Sequence, residues 1–139
     1  MVTKLNRGIT YNSGVSLVKL QNIALSGASG TYTTTTIQNY GVTRIVSTGT
    51  GAGWSVKLAA PVAGVEKQIV VTARSTAPVT IYTHSTACVI GGTTNNNIAI
   101  STGGAGAERA VRLIGLSTAA WSLMARSTGA TLAASTSPF

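Results

Sequence analysis

The sequence predicts an all-β protein, a single β-sandwich of jelly-roll type with an extended N-terminal arm. Three observations lead there. Runs of β-branched residues are separated by Gly, Asn, Ser and Pro, with no sustained helical period. About eight short strand patterns recur at spacings of roughly 8–12 residues, as in sandwiches and barrels. The 139 residues are 44% hydrophobic, enough for one core and too apolar for a disordered chain.

Residues 1–30 read as an irregular arm punctuated by Gly and Ser, with short strand patterns at Val15–Leu20 and Asn22–Leu25. The sandwich domain spans 31–133. It opens on Thr31–Gln38, whose β-branched threonines suit a half-wet pleated surface. Asn39-Tyr40-Gly41 turns the chain into Val42–Ser47. A Gly-rich loop leads to Trp54–Leu58, and a turn at Pro61–Gly64 leads to Val65–Ala73. Val79–Thr83 places Val79, Ile81 and Thr83 on one face and Thr80 and Tyr82 on the other. Ile98–Ser101, Arg109–Leu116, Trp121–Ala125 and Thr131–Ala133 follow, and residues 134–139 form a tail. The Arg44–Val46/Trp54–Val56 and Arg112–Ile114/Trp121–Leu123 segments echo each other, and each Trp is expected in the core.

Charge is scarce and one-sided. Only 9% of residues are charged, and ten Lys and Arg face two acids, giving +8. A surface so poor in charge favours association, and the excess of cations favours an anionic partner. Lys4, Arg7, Lys19, Arg44, Lys57, Lys67, Arg74, Arg109, Arg112 and Arg126 are scattered, without interleaved aromatics. That distribution fits docking on an acidic protein surface better than nucleic-acid reading. The N-terminus has no apolar run after Lys4 and Arg7, so no signal peptide is expected. Leu58–Val65, the most apolar window, is too short to span a membrane.

The residues argue against an enzyme. Glu66 and Glu108 are the only acids, each at a strand start beside a cation, and they read as surface charges that guard strands. His84 and Cys88 lack a nucleophile signature and an orienting acid, so Cys88 reads as a small buried hydrophobe. One His and one Cys cannot complete a four-ligand metal site in one chain, although a three-fold axis could gather three copies of His84. With no Asp, carboxylate sites for calcium or magnesium are excluded, and no cofactor is expected. Gly49–Gly53 and Gly103–Gly106 lack the Lys-Ser/Thr and helix start of a phosphate loop.

One further pattern runs through residues 60–129. The stretch Ala60-Pro61-Val62-Ala63-Gly64-Val65-Glu66-Lys67-Gln68-Ile69-Val70-Val71 is followed by Val79-Thr80-Ile81-Tyr82 and Asn95-Asn96-Asn97-Ile98. It ends in Val111-Arg112-Leu113-Ile114-Gly115-Leu116 and Trp121-Ser122-Leu123. This half of the chain resembles a module of tailed-bacteriophage virion proteins, notably capsid decoration (cement) proteins and head fibres. The resemblance implies a homotrimer on the capsid surface of the virion, partnered by the major capsid protein and gripping it with an extended arm. The arm cations Lys4, Arg7 and Lys19 are the expected capsid-binding residues. The alternative is a tail or head fibre module that binds a host-surface glycan or receptor through loop aromatics such as Tyr11, Tyr32, Tyr40 and Tyr82. A third class is a basic nucleic-acid-binding or internal virion protein.

Overall fold

The computed structural model describes residues 19–26, 32–48, 53–73, 77–92, 94–101, 108–134 and 139. Lys4, Arg7, Tyr11, most of the strand pattern at Val15–Leu20, Arg74, most of the first Gly-rich loop, the whole of the second and tail residues 135–138 lie outside these.

Among the described residues the chain forms eleven strands. The first six are β1 (Leu20–Leu25), β2 (Tyr32–Ile37), β3 (Gly41–Ser47), β4 (Trp54–Leu58), β5 (Glu66–Ala73) and β6 (Val79–Tyr82). Then come β7 (Val89–Ile90), β8 (Asn97–Ile100), β9 (Glu108–Ser117), β10 (Ala120–Arg126) and β11 (Ala130–Ala133). They build two mixed sheets, β1-β3-β5-β9-β10-β7 and β11-β8-β6-β4-β2, so the all-β sandwich expected from the sequence is the fold observed.

The winding differs from a jelly roll. From β1 to β6 the chain alternates between the two sheets, and every neighbouring pair within a sheet is parallel. Leu20 lies beside Val42, and Val42 beside Gln68, a repeat of 22 and then 26 residues per rung. Parallel strands need a long crossover. Here the crossover is a strand of the opposite sheet, so each rung covers the core from both sides. The direction then reverses. β9 runs antiparallel to β5, β8 to β6, β10 to β9 and β11 to β8. A period-2 pattern decides which face of a strand is buried, not the direction of its neighbour. That is why the strands were legible and the winding was not. β1 also lies inside the segment expected as an arm, and it pairs along its whole length with β3.

Side-chain rows line up across the rungs. In the first sheet Ile23, Ile45 and Val71 form one inward row, and Thr43, Ile69 and Val111 another. In the second sheet Trp54, Val79, Ile100 and Ala130 face Val56, Ile81 and Ile98 one step along. All but one of these side chains are apolar, and each of the larger ones contributes about 1.5–3 kcal/mol of burial. Both Trp residues are buried in this core, and so is Cys88. The turn at Pro61–Gly64 folds against β9: the Gly64 N–H donates to the Gly115 carbonyl at 2.9 Å. The Gly115 N–H donates to the Val65 carbonyl at 3.0 Å. A Cβ at Gly115 would collide with the Val62 carbonyl, so glycine is required at that crossing.

Candidate interaction surface

The period of β5 puts Lys67 in phase with Ile69 and Val71, and its side chain is fully buried between the sheets. Its register partner in β3 is Gly41, which has no side chain to fill the inward row. The ammonium uses that region: Nζ donates to the Tyr40 carbonyl at 3.0 Å and to Thr43 Oγ1. Thr43 Oγ1 passes a hydrogen bond on to Gln21 Oε1 at 2.8 Å. Gln21 Oε1 also accepts from the Gln38 N–H at 3.0 Å, and Gln21 Nε2 donates to the Thr36 carbonyl at 2.9 Å. A polar spine thus runs across three strands from the buried Lys67 and Thr43 to the half-buried Gln21. Loss of water around the buried ammonium lowers the Lys67 pKa to about 8.

Among the described residues β2 ends the second sheet, and the Gln21 contacts close part of that edge. Ile37 turns its carbonyl towards β4, where Ala59 donates to it at 2.9 Å. Thr36 and Gln38 therefore direct their backbone groups the other way, off the end of the second sheet. The Gln21 carboxamide meets one donor and one acceptor there, as an added strand would. Lys19, the one expected capsid-binding residue that is described, stands at the head of β1. Its Nζ donates to Tyr40 Oη at 3.3 Å and lies 5.8 Å from the centre of that ring. Tyr40 itself is exposed at its turn. Tyr82 packs edge-on to Phe139, with ring centres 6.2 Å apart.

On the outer face of the first sheet, Glu66 Oε2 accepts from Arg112 Nη2 at 2.6 Å and from Nε at 3.2 Å. Two concavities share Gln68 and Arg112. One, of about 500 Å³, continues past Glu66 to Tyr40 and Val42. The other, of about 230 Å³, continues past Ala110 and Ala125 to Arg126.

The catalytic constellations considered from sequence are not brought together. Glu66 lies opposite Ile114 in the register, whereas Glu108 lies opposite Thr72. Six residues of strand, about 20 Å, separate the two carboxylates. Burial pushes the Cys88 thiol up to about 11, so it is no nucleophile at neutral pH. His84 Nε2 lies 3.4 Å from Ser85 Oγ. Among the described residues no three His, Cys, Asp or Glu side chains gather as a metal site, and no helix is long and apolar enough to cross a membrane.

Sequence reasoning passed over the burial of Lys67, although its parity with Ile69 and Val71 carried the signal. The Glu66–Arg112 pair and the groove needed the β5–β9 register, which no local pattern encodes. A scan of protein-family models finds none that matches this chain, and no curated protein matches its sequence.

Proposed function

We propose that the protein is a virion structural protein, a capsid decoration (cement) protein that binds the outer capsid lattice as a trimer and stabilises it. One observation carries the reading: large apolar side chains stand exposed on a surface where charge is sparse and mostly positive. Leu116 is 62% exposed, Leu20 57%, Met124 49% and Val62 48%. A surface poor in charge favours association, and these side chains offer a partner apolar contacts. A partner that binds the assembled lattice and not free subunits stabilises the lattice by mass action, and three-fold repetition of weak contacts adds avidity. The excess of cations selects an acidic surface.

The test pairs light scattering with co-sedimentation on heads of the phage that encodes the chain. A mass of three chains and saturable binding to heads support the reading. A monomer that stays in the supernatant overturns it.

The rung-by-rung winding favours a second reading, a fibre module that binds a host-surface glycan. A coil of parallel rungs extends along its axis without changing its cross-section, and β1 and β2 end both sheets on the same side. Specific signals on a glycan array, lost in Tyr40→Ala, would favour the fibre.

A further inference from the structure

The two concavities on the outer face of the first sheet form one groove, since Gln68 and Arg112 line both. The groove runs across the strands: Val42, Gln68, Arg112 and Ala125 are successive partners on β3, β5, β9 and β10. Three strand spacings give it a length of about 14 Å, room for about four extended residues. Val42, Ala110 and Ala125 make its floor apolar, and Arg112 supplies a cation at its middle. Arg44 stands on the same outward face, two residues along β3 from Val42.

Of the two acids, only Glu66 lines the groove, and it offsets part of the charge there. Glu66 holds Arg112 along its Nε/Nη2 edge, which fixes the guanidinium and leaves its end-on pair, one hydrogen each of Nη1 and Nη2, for a second acceptor. Glu108 is at the far end of β9, beside Thr72. A guanidinium fixed in this way meets a carboxylate with two parallel donors, better than a mobile ammonium would. The only aromatic side chain that lines the groove among the described residues is Tyr40, at one end. A single-stranded nucleic acid would need a succession of stacking platforms.

We propose that this groove binds a short extended segment of a partner protein carrying acidic side chains, with Arg112 and Arg44 as the carboxylate-binding residues. The inference rests on the reading above for the identity of the partner, an acidic capsid lattice, and it moves the docking site from the arm cations to the sheet.

The experiment uses a blocked pentaglutamate peptide as the probe and the full chain, followed by amide chemical shifts at low salt. The expected shifts map to Gln68, Ala110, Arg112 and Ala125. Arg112→Glu combined with Arg44→Glu weakens binding at least tenfold, and Arg112→Lys weakens it several-fold because the forked donor is lost. Lys57→Glu, on the opposite sheet, leaves affinity within twofold. Shifts spread over all cations, equal weakening by Lys57→Glu, or tighter binding of a single-stranded oligonucleotide at the same residues would each overturn the proposal. Both arginines are exposed, and an unchanged unfolding midpoint verifies that the double variant folds. Co-sedimentation with heads runs in parallel. If the double variant loses the peptide but still binds heads, the groove stands and is not the lattice contact. If the wild type binds the peptide but not heads, the groove stands and the capsid reading fails.

Discussion

The winding half of the molecule, β1 to β6, and the closing half, β7 to β11, share one core but are assembled from different contacts. In the winding half every strand neighbour is 21 to 26 residues away in sequence, as Ile37 is from Leu58 and Gly41 from Lys67. In the closing half β9 and β10 are separated only by Thr118 and Ala119, whereas β7–β10 and β8–β11 pair across 30 to 36 residues. Local pairs close small loops and form early, whereas rungs need long loops closed before any contact returns free energy. The halves differ inside as well. The winding half holds the polar spine Lys67–Thr43–Gln21, whereas the closing half buries Trp121 in the apolar core and keeps its buried polar groups, Asn96 and Asn97, at the start of β8. The sheets run unbroken from one half to the other through β5–β9 and β6–β8, so the two halves are expected to unfold together.

The largest expected effect tests that unity. Trp121→Ala in the closing half and Trp54→Ala in the winding half each remove a buried indole, at a cost of about 3–5 kcal/mol. Each is expected to shift one cooperative urea transition, seen alike by fluorescence of the remaining Trp and by circular dichroism. Two separate transitions would break the single-domain account. Neither buried indole N–H has a hydrogen-bond partner among the described residues. Trp121→Phe, which loses that N–H but keeps most of the ring, is therefore expected to cost less than half as much as Trp121→Ala.

The next effect belongs to the winding half alone. The folded state holds Lys67 at a pKa of about 8, against 10.5 for the free side chain. Between those values the unfolded chain binds more protons, so stability rises with pH across that window. Below pH 8 the ammonium is charged in both states and its burial penalty is constant. The rise attributable to Lys67 is at most about 3 kcal/mol. Urea midpoints between pH 7.5 and 10.5 measure it, and Lys67→Met is expected to flatten the profile. An equally steep profile in that variant would mean that other groups cause the rise.

The two halves also differed in how much the sequence revealed. In the closing half Arg109–Leu116 and Trp121–Ala125 alternate plainly, and the observed β9 and β10 extend each by only one or two residues. A short connection between alternating runs implies a hairpin, so their antiparallel pairing follows from nearness alone. In the winding half the strand Val42–Ser47 was equally legible, but its partners are β1 and β5 in place of the adjacent β2 and β4. Pairing at such a distance leaves no local mark. The two-residue β7 was missed because Val89-Ile90 is too short to show a period. The groove was invisible for the reason the rungs were: Gln68, Arg112 and Ala125 meet only through register.

A smaller effect probes the open edge. Gln21→Ala leaves the Thr36 carbonyl and the Gln38 N–H without their side-chain partner and removes an acceptor from Thr43. These groups are partly accessible to water, so about 1–2 kcal/mol is expected, near the low end for an orphaned pair. Hydrogen exchange locates the loss. Amides of β1 and β2 are expected to exchange faster, with those of β9 and β10 changed only by the global shift. Uniform acceleration would mean that the edge is not a separate opening unit.

The smallest effect separates stability from recognition at the groove. Glu66 and Arg112 are each about half exposed, so their 2.6 Å ion pair is well solvated. Such pairs contribute about 0.2–1 kcal/mol, and salt screens them further. Glu66→Gln is therefore expected to lower the urea midpoint barely above error, with no dependence on which half of the molecule is probed. Its effect on the pentaglutamate peptide has the opposite sign to its effect on stability. The amide oxygen can still accept from Arg112 and hold it in place, while loss of the competing negative charge raises the positive potential of the groove, so peptide affinity is expected to rise a few-fold at low salt. If affinity falls instead, Glu66 serves mainly to hold the guanidinium in place, and orientation outweighs charge at this site.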